Sequence, residues 1–210
     1  MFTDLSVSLL IIVLVSIIVS MTIHEAIHAF VAHWLGDTTA HEAGRLTLNP
    51  LKHIDLATTV LLPMVLIIAQ LPPIFAAKPV PFNPEAVKWE EFGVALVGVA
   101  GPLSNLILAG ITGLIFRIGG ADFSATVNDV LVIFTQINIG FFIFNMIPFP
   151  PLDGSRLLYA FAPEPLQNVM RQIESFGFMA ILFFIFILFQ FGSGIIFTLQ
   201  NGLARAILGL

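Results

Sequence analysis

Residues 5–34 read LSVSLLIIVLVSIIVSMTIHEAIHAFVAHW, an apolar run that holds the pentapeptide HEAIH at 24–28. The run exceeds the roughly 20 apolar residues that a helix needs to cross the hydrocarbon core of a bilayer. No Lys or Arg precedes it, and cleavage after it would separate it from the pentapeptide. We therefore interpret it as a retained membrane-spanning helix rather than a leader peptide.

The pentapeptide is a metal-binding pattern when it lies on a helix. His24 and His28 then share one face, about 40° apart and roughly 6 Å along the axis, so both imidazoles can reach one metal ion. Glu25 lies about 100° around the helix from His24, where it is better placed as a base for an attacking water than as a third ligand. Ionisable groups at membrane depth are costly and mark functional sites. The motif therefore predicts a metal-dependent hydrolase whose active site lies inside the bilayer.

Composition independently predicts a membrane protein. Apolar residues make up 58% of the 210 residues, charged residues make up 10%, and the mean hydropathy is +1.00. These values lie far from the balance of a soluble domain. The net charge of −5 comes from few residues spread over many loops, so we expect no nucleic-acid partner. Because the chain has no Cys, thiolate ligands and disulfides are excluded.

Five apolar stretches are long enough to cross a membrane: 5–34, 54–77, 91–117, 126–148 and 175–198. They predict an all-α multipass membrane protein with four to five transmembrane helices around a zinc site. We expect a single membrane-embedded domain over 1–210, with a core at about 5–165 and a C-terminal helix and tail at 175–210. Within that tail, residues 199–210 are predicted to be a short amphipathic segment.

A second motif, NMIPFPPLDG at 145–154, ends the fourth stretch. Its three Pro residues must break the helix, and broken backbone at membrane depth occurs where it is buried in protein or lines a wet cavity. A catalytic zinc takes three protein ligands and one water, so the two His residues need one more donor. Asp153 is the predicted third ligand, because the other acidic candidates lie in connecting loops. The alternative role for Asp153 is to cap the short helix that follows it.

The two motifs together resemble those of the site-2 proteases, a family of zinc intramembrane metalloproteases. That family pairs HExxH on a membrane helix with NxxPxxxLDG further on, and its GPxxN turn is matched by GPLSN at 101–105. The resemblance covers residues from about 10 to 160 and is to a short form without PDZ or CBS domains. It implies Glu25 as the catalytic base and substrate-binding roles for Asn145 and Asn105. It implies one zinc ion per chain, with these ligands: His24, His28 and Asp153.

By the same resemblance, the chain is an intramembrane zinc endopeptidase that cleaves within or near transmembrane segments of membrane-protein substrates. Its partners would be those substrates and the lipid bilayer. The alternative is a metal-binding membrane protein or transporter without protease activity. A transporter would need further polar ligands along a path through the membrane, and the stretches 126–144 and 175–198 supply few.

The ligands constrain the topology, because the two His residues and Asp153 must meet at one depth. If residues 54–77 crossed the membrane, the fourth stretch would end on the side opposite to the first. This segment is therefore predicted to be re-entrant, with Pro63 and the pair Pro72-Pro73 interrupting its helical potential. Six Lys and Arg residues then lie on one side and two on the other. The positive-inside rule places the N-terminus outside the cytoplasm and the active site towards the cytoplasm of a cell-membrane protein.

Three further segments carry weaker expectations. Residues 44–50 alternate polar and apolar side chains between a Gly and a Pro, which predicts a short extended strip able to pair edge-on with an unwound substrate. Gly101-Pro102 is interpreted as a close-packing and kink device. His53, at the start of the second stretch, is a candidate for a group that contacts a metal ligand.

Overall fold

A computed structural model describes residues 7–55, 59, 61–68, 70 and 77–210 of the chain, and this part is almost entirely helical, with no strand. Turns of 3-10 type lie at Pro50–Lys52 and Pro84–Ala86, and a π turn lies at Leu188–Gly192. The α-helices are α1 (Val7–Trp34), α2 (Thr39–Glu42), α3 (Leu62–Ile68), α4 (Glu90–Gly119), α5 (Ala125–Asn145), α6 (Gly154–Tyr159), α7 (Glu164–Ser175), α8 (Phe178–Ile187) and α9 (Ser193–Leu208).

Helices α1, α4 and α5 are each long and apolar enough to cross a membrane. A pair formed by α7 and residues 179–192, bent by 105°, is a further candidate span. The protein is therefore an all-α multipass membrane protein, and this prediction from its sequence is confirmed. Large apolar side chains on the outward faces of the spans, such as Ile107 and Ile111, are exposed, as contact with lipid requires.

The three long helices form an antiparallel bundle around the polar residues. Near its end, α1 packs against the start of α4, where Ala32 and Val97 belong to one buried cluster. In a second buried cluster, Ala109 of α4 packs with Ile139 of α5. Because α1 and α4 run in opposite directions, the middle of α1 faces the middle of α4. This arrangement determines which α4 residues can contact the two His side chains.

The connection between α1 and α4 begins and ends at the same end of the bundle. The Lys88 N–H donates to the Leu35 carbonyl oxygen at 2.9 Å, and the Lys78 N–H donates to the His53 carbonyl oxygen at 2.8 Å. The residues that flank 54–77 are thus hydrogen-bonded to each other, so the two ends of this segment lie on the same side, as the predicted re-entrant segment requires. The predicted break at Pro72-Pro73 lies outside the described residues.

Pro63 is the second residue of α3, and residues 59 and 61 before it have π-helical geometry, so the described part of this stretch is not one regular α-helix. One local expectation for this connection is wrong. Residues 44–50 do not form an extended strip. The Thr47 N–H donates to the Arg45 carbonyl oxygen in a tight turn, and Asn49 caps the 3-10 turn that follows.

After α5, the chain forms α6 and α7 and then returns along α5 through α8, the π turn and α9. The end of α9 lies beside the end of α4, where Arg117 Nη1 donates to the Ala206 carbonyl oxygen at 3.4 Å. Residues 199–208 form the second part of α9, with Ala204 and Leu208 buried against α4 and α5 and with Arg205 exposed. The segment that was predicted to be amphipathic thus has one buried face and one exposed face.

Candidate metal centre

His24, His28 and Asp153 meet at one point inside the bundle. The Nε2 atoms of the two His residues are 3.0 Å apart. Oδ2 of Asp153 lies 3.0 Å from Nε2 of His24 and 3.3 Å from Nε2 of His28. In the described part of the chain, these residues make the one group of His, Asp and Glu side chains able to hold a metal ion. The structure thus brings together the three predicted ligands.

The site lies well within the helical span. His24 is about 15 Å along α1 from the end of this helix at Trp34, at ~1.5 Å per residue. On α4, Val97 beside His28 is about 10 Å from the start of that helix at Glu90. His24 and His28 are nearly fully buried, with 5% and 8% of each residue exposed. Such polar groups are stable at this depth because each has a specific partner.

Hydrogen bonds behind the two imidazoles determine which ring nitrogen carries the proton. Nδ1 of His24 lies 2.6 Å from Oδ1 of Asn105, and Nδ1 of His28 lies 2.7 Å from the carbonyl oxygen of Val97. Both partners are acceptors, so each Nδ1 must carry the proton and donate it. In the neutral rings the lone pairs are then on Nε2, at the point where Asp153 also presents an oxygen.

This arrangement fits a zinc ion. Three lone pairs converge at one point, and they repel one another unless a cation or a proton lies between them. Tetrahedral ligands at about 2.0–2.1 Å from zinc are about 3.3 Å from one another. The observed separations of 3.0 to 3.3 Å are close to that value. Two imidazole nitrogens and one carboxylate oxygen are also ligand types that catalytic zinc uses, with a fourth position open.

Glycines on α4 leave the space that the ligands need. A Cβ on Gly101 would overlap the ring of His28 and approach Nε2 of His24, and a Cβ on Gly98 would approach the Asp153 carbonyl oxygen. The sequence predicted close packing at Gly101-Pro102, and Gly101 does pack closely. Its neighbours are the rings of His24 and His28, which spacing along one helix does not reveal. We call Val97, Gly101, Asn105 and the neighbouring Asn138 the back wall.

Asp153 is positioned by the short helix α6 that follows the Pro-rich break. It occupies the N-cap position, but its side chain makes no capping hydrogen bond. The capping alternative therefore does not describe this carboxylate, which instead faces the two imidazoles. Gly154 allows the close turn, because a Cβ there would approach the Met146 carbonyl oxygen. Behind Asp153, an ion pair at 3.0 Å between Arg156 Nη1 and Glu174 Oε1 ties α6 to α7.

Glu25 faces the same cavity as the three ligands. Its Oε2 accepts the backbone N–H of Val80 at 3.0 Å. Val80 lies between Pro79 and Pro81 in the connection that leads into α4, and the two Pro residues exclude a helix there. This partner of Glu25 was not predicted from the sequence. The contact is between backbone and side chain across 55 positions, and no sequence pattern signals it.

The connection that carries Val80 is anchored to the end of α1 through Asp37. This carboxylate is almost fully buried and accepts N–H groups from Thr39 at 2.9 Å and from Asn83 at 2.7 Å. Burial raises the pKa of Asp37, but the hydrogen bonds from Thr39 and Asn83 outweigh burial and hold the pKa below its usual range. The segment beside Glu25 is therefore fixed by contacts outside the metal centre.

A cavity of about 1220 Å³ opens in front of the metal centre. Most of its lining is apolar, and Asn145 lies on its wall with Nδ2 donating to the Phe141 carbonyl oxygen at 3.0 Å. Asn105 does not face this space. It is fully buried behind His24, so a direct contact with substrate does not fit its position. His53 is also fully buried, and its Nε2 lies 2.9 Å from the Thr47 carbonyl oxygen rather than beside a ligand.

Fold and site together define a class: a helical multipass membrane protein with a buried His-His-Asp group that fits zinc. Residues 110–189 match the model of Peptidase family M50. YwhC of Bacillus subtilis (strain 168), provisionally named a zinc metalloprotease, is 37% identical over 194 residues, which are 89% of this chain and 84% of YwhC. The chain belongs to this family, the site-2 proteases, and is a zinc metalloprotease of the membrane.

A second relative has the same kind of name. Rip2 of Mycolicibacterium smegmatis (strain ATCC 700084 / mc(2)155), also provisionally named a zinc metalloprotease, is 27% identical over 185 residues. The aligned part covers 84% of this chain and 67% of Rip2. No solved structure matches the chain with significance.

Proposed function

We propose that the protein is an intramembrane zinc endopeptidase that hydrolyses peptide bonds within or near transmembrane segments of membrane-protein substrates. One zinc ion per chain would be held by His24, His28 and Asp153. A single observation carries the proposal: the three ligands and Glu25 face one cavity at the depth of the membrane span. Membership of a zinc metalloprotease family supports the same chemistry.

Glu25 is the proposed general base. The Val80 N–H holds one carboxylate oxygen, Oε2, which orients the side chain. Glu25 takes a proton from the attacking water and delivers it to the leaving amine. Zinc, when bound, supplies a Lewis acid that polarises the scissile carbonyl and lowers the pKa of water towards ~7. The hydrogen bonds of the back wall keep both Nδ1 atoms protonated, so both Nε2 atoms are available to the metal.

The apolar cavity fits a substrate that is itself a membrane segment. In a helix the carbonyl oxygens are bonded within the chain, so a scissile carbonyl becomes accessible after the substrate unwinds locally. We therefore propose substrates with helix-weakening residues near the cleavage site. Asn145, on the cavity wall, is the group that we assign to the unwound substrate backbone. The side-chain oxygen Oδ1 of Asn145 can accept a substrate N–H while Nδ2 donates to the Phe141 carbonyl oxygen.

The proposed orientation places the N-terminus outside the cytoplasm and the active site towards the cytoplasm. Positive charge supports this choice, because cytoplasmic segments carry an excess of Lys and Arg. Two cations, Arg117 and Arg205, lie at the end of the bundle where α4 and α9 stop. The remaining six belong to segments at the opposite end: Arg45, Lys52, Lys78, Lys88, Arg156 and Arg171.

Substitution of the base tests the proposed function. Glu25→Gln keeps the size of the side chain and an oxygen for the Val80 N–H but removes the basic carboxylate. We expect cleavage of a transmembrane reporter substrate in proteoliposomes to fall by about 10²- to 10⁴-fold, the range for loss of a general base. Zinc content, measured by metal analysis, should stay near one per chain. Glu42→Gln on α2, which is exposed and remote from the site, is the control and should cleave normally.

Two results would contradict the proposed function. Unchanged cleavage by Glu25→Gln would remove Glu25 from the mechanism. Zinc binding by the wild-type protein without cleavage of any transmembrane reporter would favour the alternative, a metal-binding membrane protein or transporter.

A further inference from the structure

We propose that Asn105 and Asn138 are positioning residues that hold His24 in the tautomer and orientation needed for zinc. The inference rests on the proposed role of His24 as a zinc ligand. It assigns a task to Asn138, a residue of α5 that the two sequence motifs do not contain, and it gives Asn105 a task other than substrate binding. Neither side chain touches the cavity. Both would act through His24.

The network joins all three long helices. Nδ2 of Asn138 donates to the Phe134 carbonyl oxygen and to Ser20 Oγ, each at 2.8 Å. Nδ2 of Asn105 donates to Oδ1 of Asn138 at 2.8 Å and to the Ser20 carbonyl oxygen at 3.4 Å. Oδ1 of Asn105 then faces Nδ1 of His24 at 2.6 Å. Each contact pairs one donor with one acceptor, so the network is consistent throughout.

The order of donors and acceptors fixes the direction of both amides. The Phe134 carbonyl oxygen can accept but not donate, so the amino group of Asn138 must face it. Oδ1 of Asn138 is then left to accept from the amino group of Asn105. That contact in turn directs Oδ1 of Asn105 towards His24, which must donate from Nδ1. The backbone of α5 thus determines which nitrogen of His24 carries the proton and which faces the metal.

Burial makes this direction hard to reverse. Ser20, Asn105 and Asn138 are each 0% exposed, and water at this depth does not replace a lost partner. Turning either amide would bring two acceptors or two donors together in a dry interior, which is strongly unfavourable. The His24 ring is therefore held before any metal arrives. Partners of this kind on metal ligands typically change metal affinity by about 10- to 100-fold when removed.

The same helix pair contains a contact that serves as a matched control. Thr112 and Thr135 join α4 to α5 through their hydroxyl groups at 2.7 Å, and Thr135 is also 0% exposed. Thr135 lies one helical turn from Asn138 on α5. This contact holds the two helices together but touches no metal ligand. If the two Asn residues only held the helices together, substitutions of Asn105, Asn138 and Thr135 would change zinc affinity to the same extent.

The experiment measures the zinc dissociation constant of the full chain in detergent by competition with a chromogenic chelator. Asn105→Leu should weaken zinc binding by about 10- to 100-fold, because Nδ1 of His24 loses its acceptor. Asn105→Asp keeps an oxygen for the Nδ1 proton but places a second acceptor against Oδ1 of Asn138 and the Ser20 carbonyl oxygen, so it should bind zinc more weakly than wild type and more tightly than Asn105→Leu. Thr135→Val should bind zinc as tightly as the wild-type protein.

Two further measurements separate positioning from a change of fold. Circular dichroism confirms that each variant keeps its helix content. The d–d bands of the Co²⁺-loaded protein report ligand geometry, and they should change in Asn105→Leu but not in Thr135→Val. Asn138→Leu, which leaves Asn105 in place without its fixed direction, should show a smaller loss of zinc affinity than Asn105→Leu.

The inference would be overturned by wild-type zinc affinity in Asn105→Leu. It would also be overturned by equal losses in the Leu and Asp variants of Asn105, or in Asn105→Leu and Thr135→Val. A raised KM with unchanged zinc affinity in Asn105→Leu would return this residue to substrate binding. Failure of the proposed function looks different, because the wild-type protein would then bind zinc without cleaving a transmembrane reporter. Failure of the proposed ligand role of His24 would appear as wild-type zinc affinity in His24→Ala.

Discussion

The two sides of the imidazole pair differ in burial and in the origin of their contacts. The back wall consists of α4 and α5 residues that are buried and hydrogen-bonded within the membrane span. The opposite side, which we call the cavity side, consists of Glu25, Val80, Asn145 and Asp153. It faces open space, and the Asp153 side chain is 26% exposed. One side therefore sets the tautomer and orientation of the two imidazoles, while the other remains accessible to water and substrate.

The difference arises because long helices form one side and connecting segments form the other. Long helices packed against each other can hold side chains within a narrow range of positions, because their backbones satisfy their own hydrogen bonds. The cavity side is assembled from connections, namely the segment around Val80 and the Pro-rich break before Asp153. Irregular backbone of this kind is tolerated at membrane depth where it lines a cavity. We expect substitutions in the back wall to alter zinc binding. On the cavity side, substitutions other than those of the proposed ligand Asp153 should alter turnover.

The largest effect is expected from Gly101→Ala in the back wall. The added methyl group would overlap the His28 ring, so at least one imidazole must leave its position. Zinc affinity should fall by at least about 100-fold, comparable to the upper range for perturbed ligand partners. Gly110→Ala is the matched control on the same helix, because a Cβ there meets nothing within 4 Å. Equal zinc contents in the two variants would show that the back wall is more pliable than its packing indicates.

An intermediate effect is expected on the cavity side from Val80→Pro. The substitution removes the N–H that holds Glu25, and a hydrogen bond to a charged group contributes about 1.5–3 kcal/mol. The value of kcat should fall by about tenfold or more while zinc affinity stays unchanged. Val80→Ala keeps the N–H and is the control. If kcat is the same in the Pro and Ala variants, the Val80 contact does not orient the base.

The smallest effect is expected from Asp37→Asn, at the anchor of the cavity side. Because the folded-state pKa of Asp37 lies below its unfolded value, its contribution to stability is present above the unfolded pKa and is lost as the pH falls through the folded value. Wild type should exceed Asp37→Asn in unfolding free energy by about 1 kcal/mol at pH 7.

The measurement is thermal unfolding of the two metal-free proteins in detergent at several pH values. The difference in stability should shrink as the pH falls below about 4. A difference that is constant down to strongly acidic pH would mean that the charge of Asp37 does not anchor the connection. Zinc affinity, measured at pH 7, should be equal in the two proteins, since Asp37 touches neither side of the imidazole pair.

Much of the fold and of the candidate site could be predicted because the relevant signals lie in short stretches of sequence. Apolar stretches identify the spans, and the spacing of His24 and His28 on one helix face is a property of any α-helix. Asp153 followed from the need for a third ligand. Because these residues must meet, residues 54–77 were predicted to begin and end on the same side. The hydrogen bond between His53 and Lys78 agrees with that prediction.

The partners of the site could not be predicted in the same way. The contact between Asn105 and His24 spans 81 positions, and the contact between Val80 and Glu25 spans 55. Which residue of one helix faces which residue of another depends on helix rotation and depth, and sequence periodicity fixes neither. The packing of 199–210 could not be predicted for the same reason, because the neighbours of its buried face belong to α4 and α5.

The sequence by itself determined that this protein is helical, lies in the membrane and carries two imidazoles and two carboxylates suited to zinc chemistry. Those properties depend on side-chain chemistry and on the 3.6-residue period of the helix. The tertiary structure alone decided that Gly101 makes room for the ligands, that Asn105 and Asn138 direct His24, and that Val80 holds Glu25. These contacts join distant positions of the chain, and only the packing of the helices brings them within hydrogen-bonding distance.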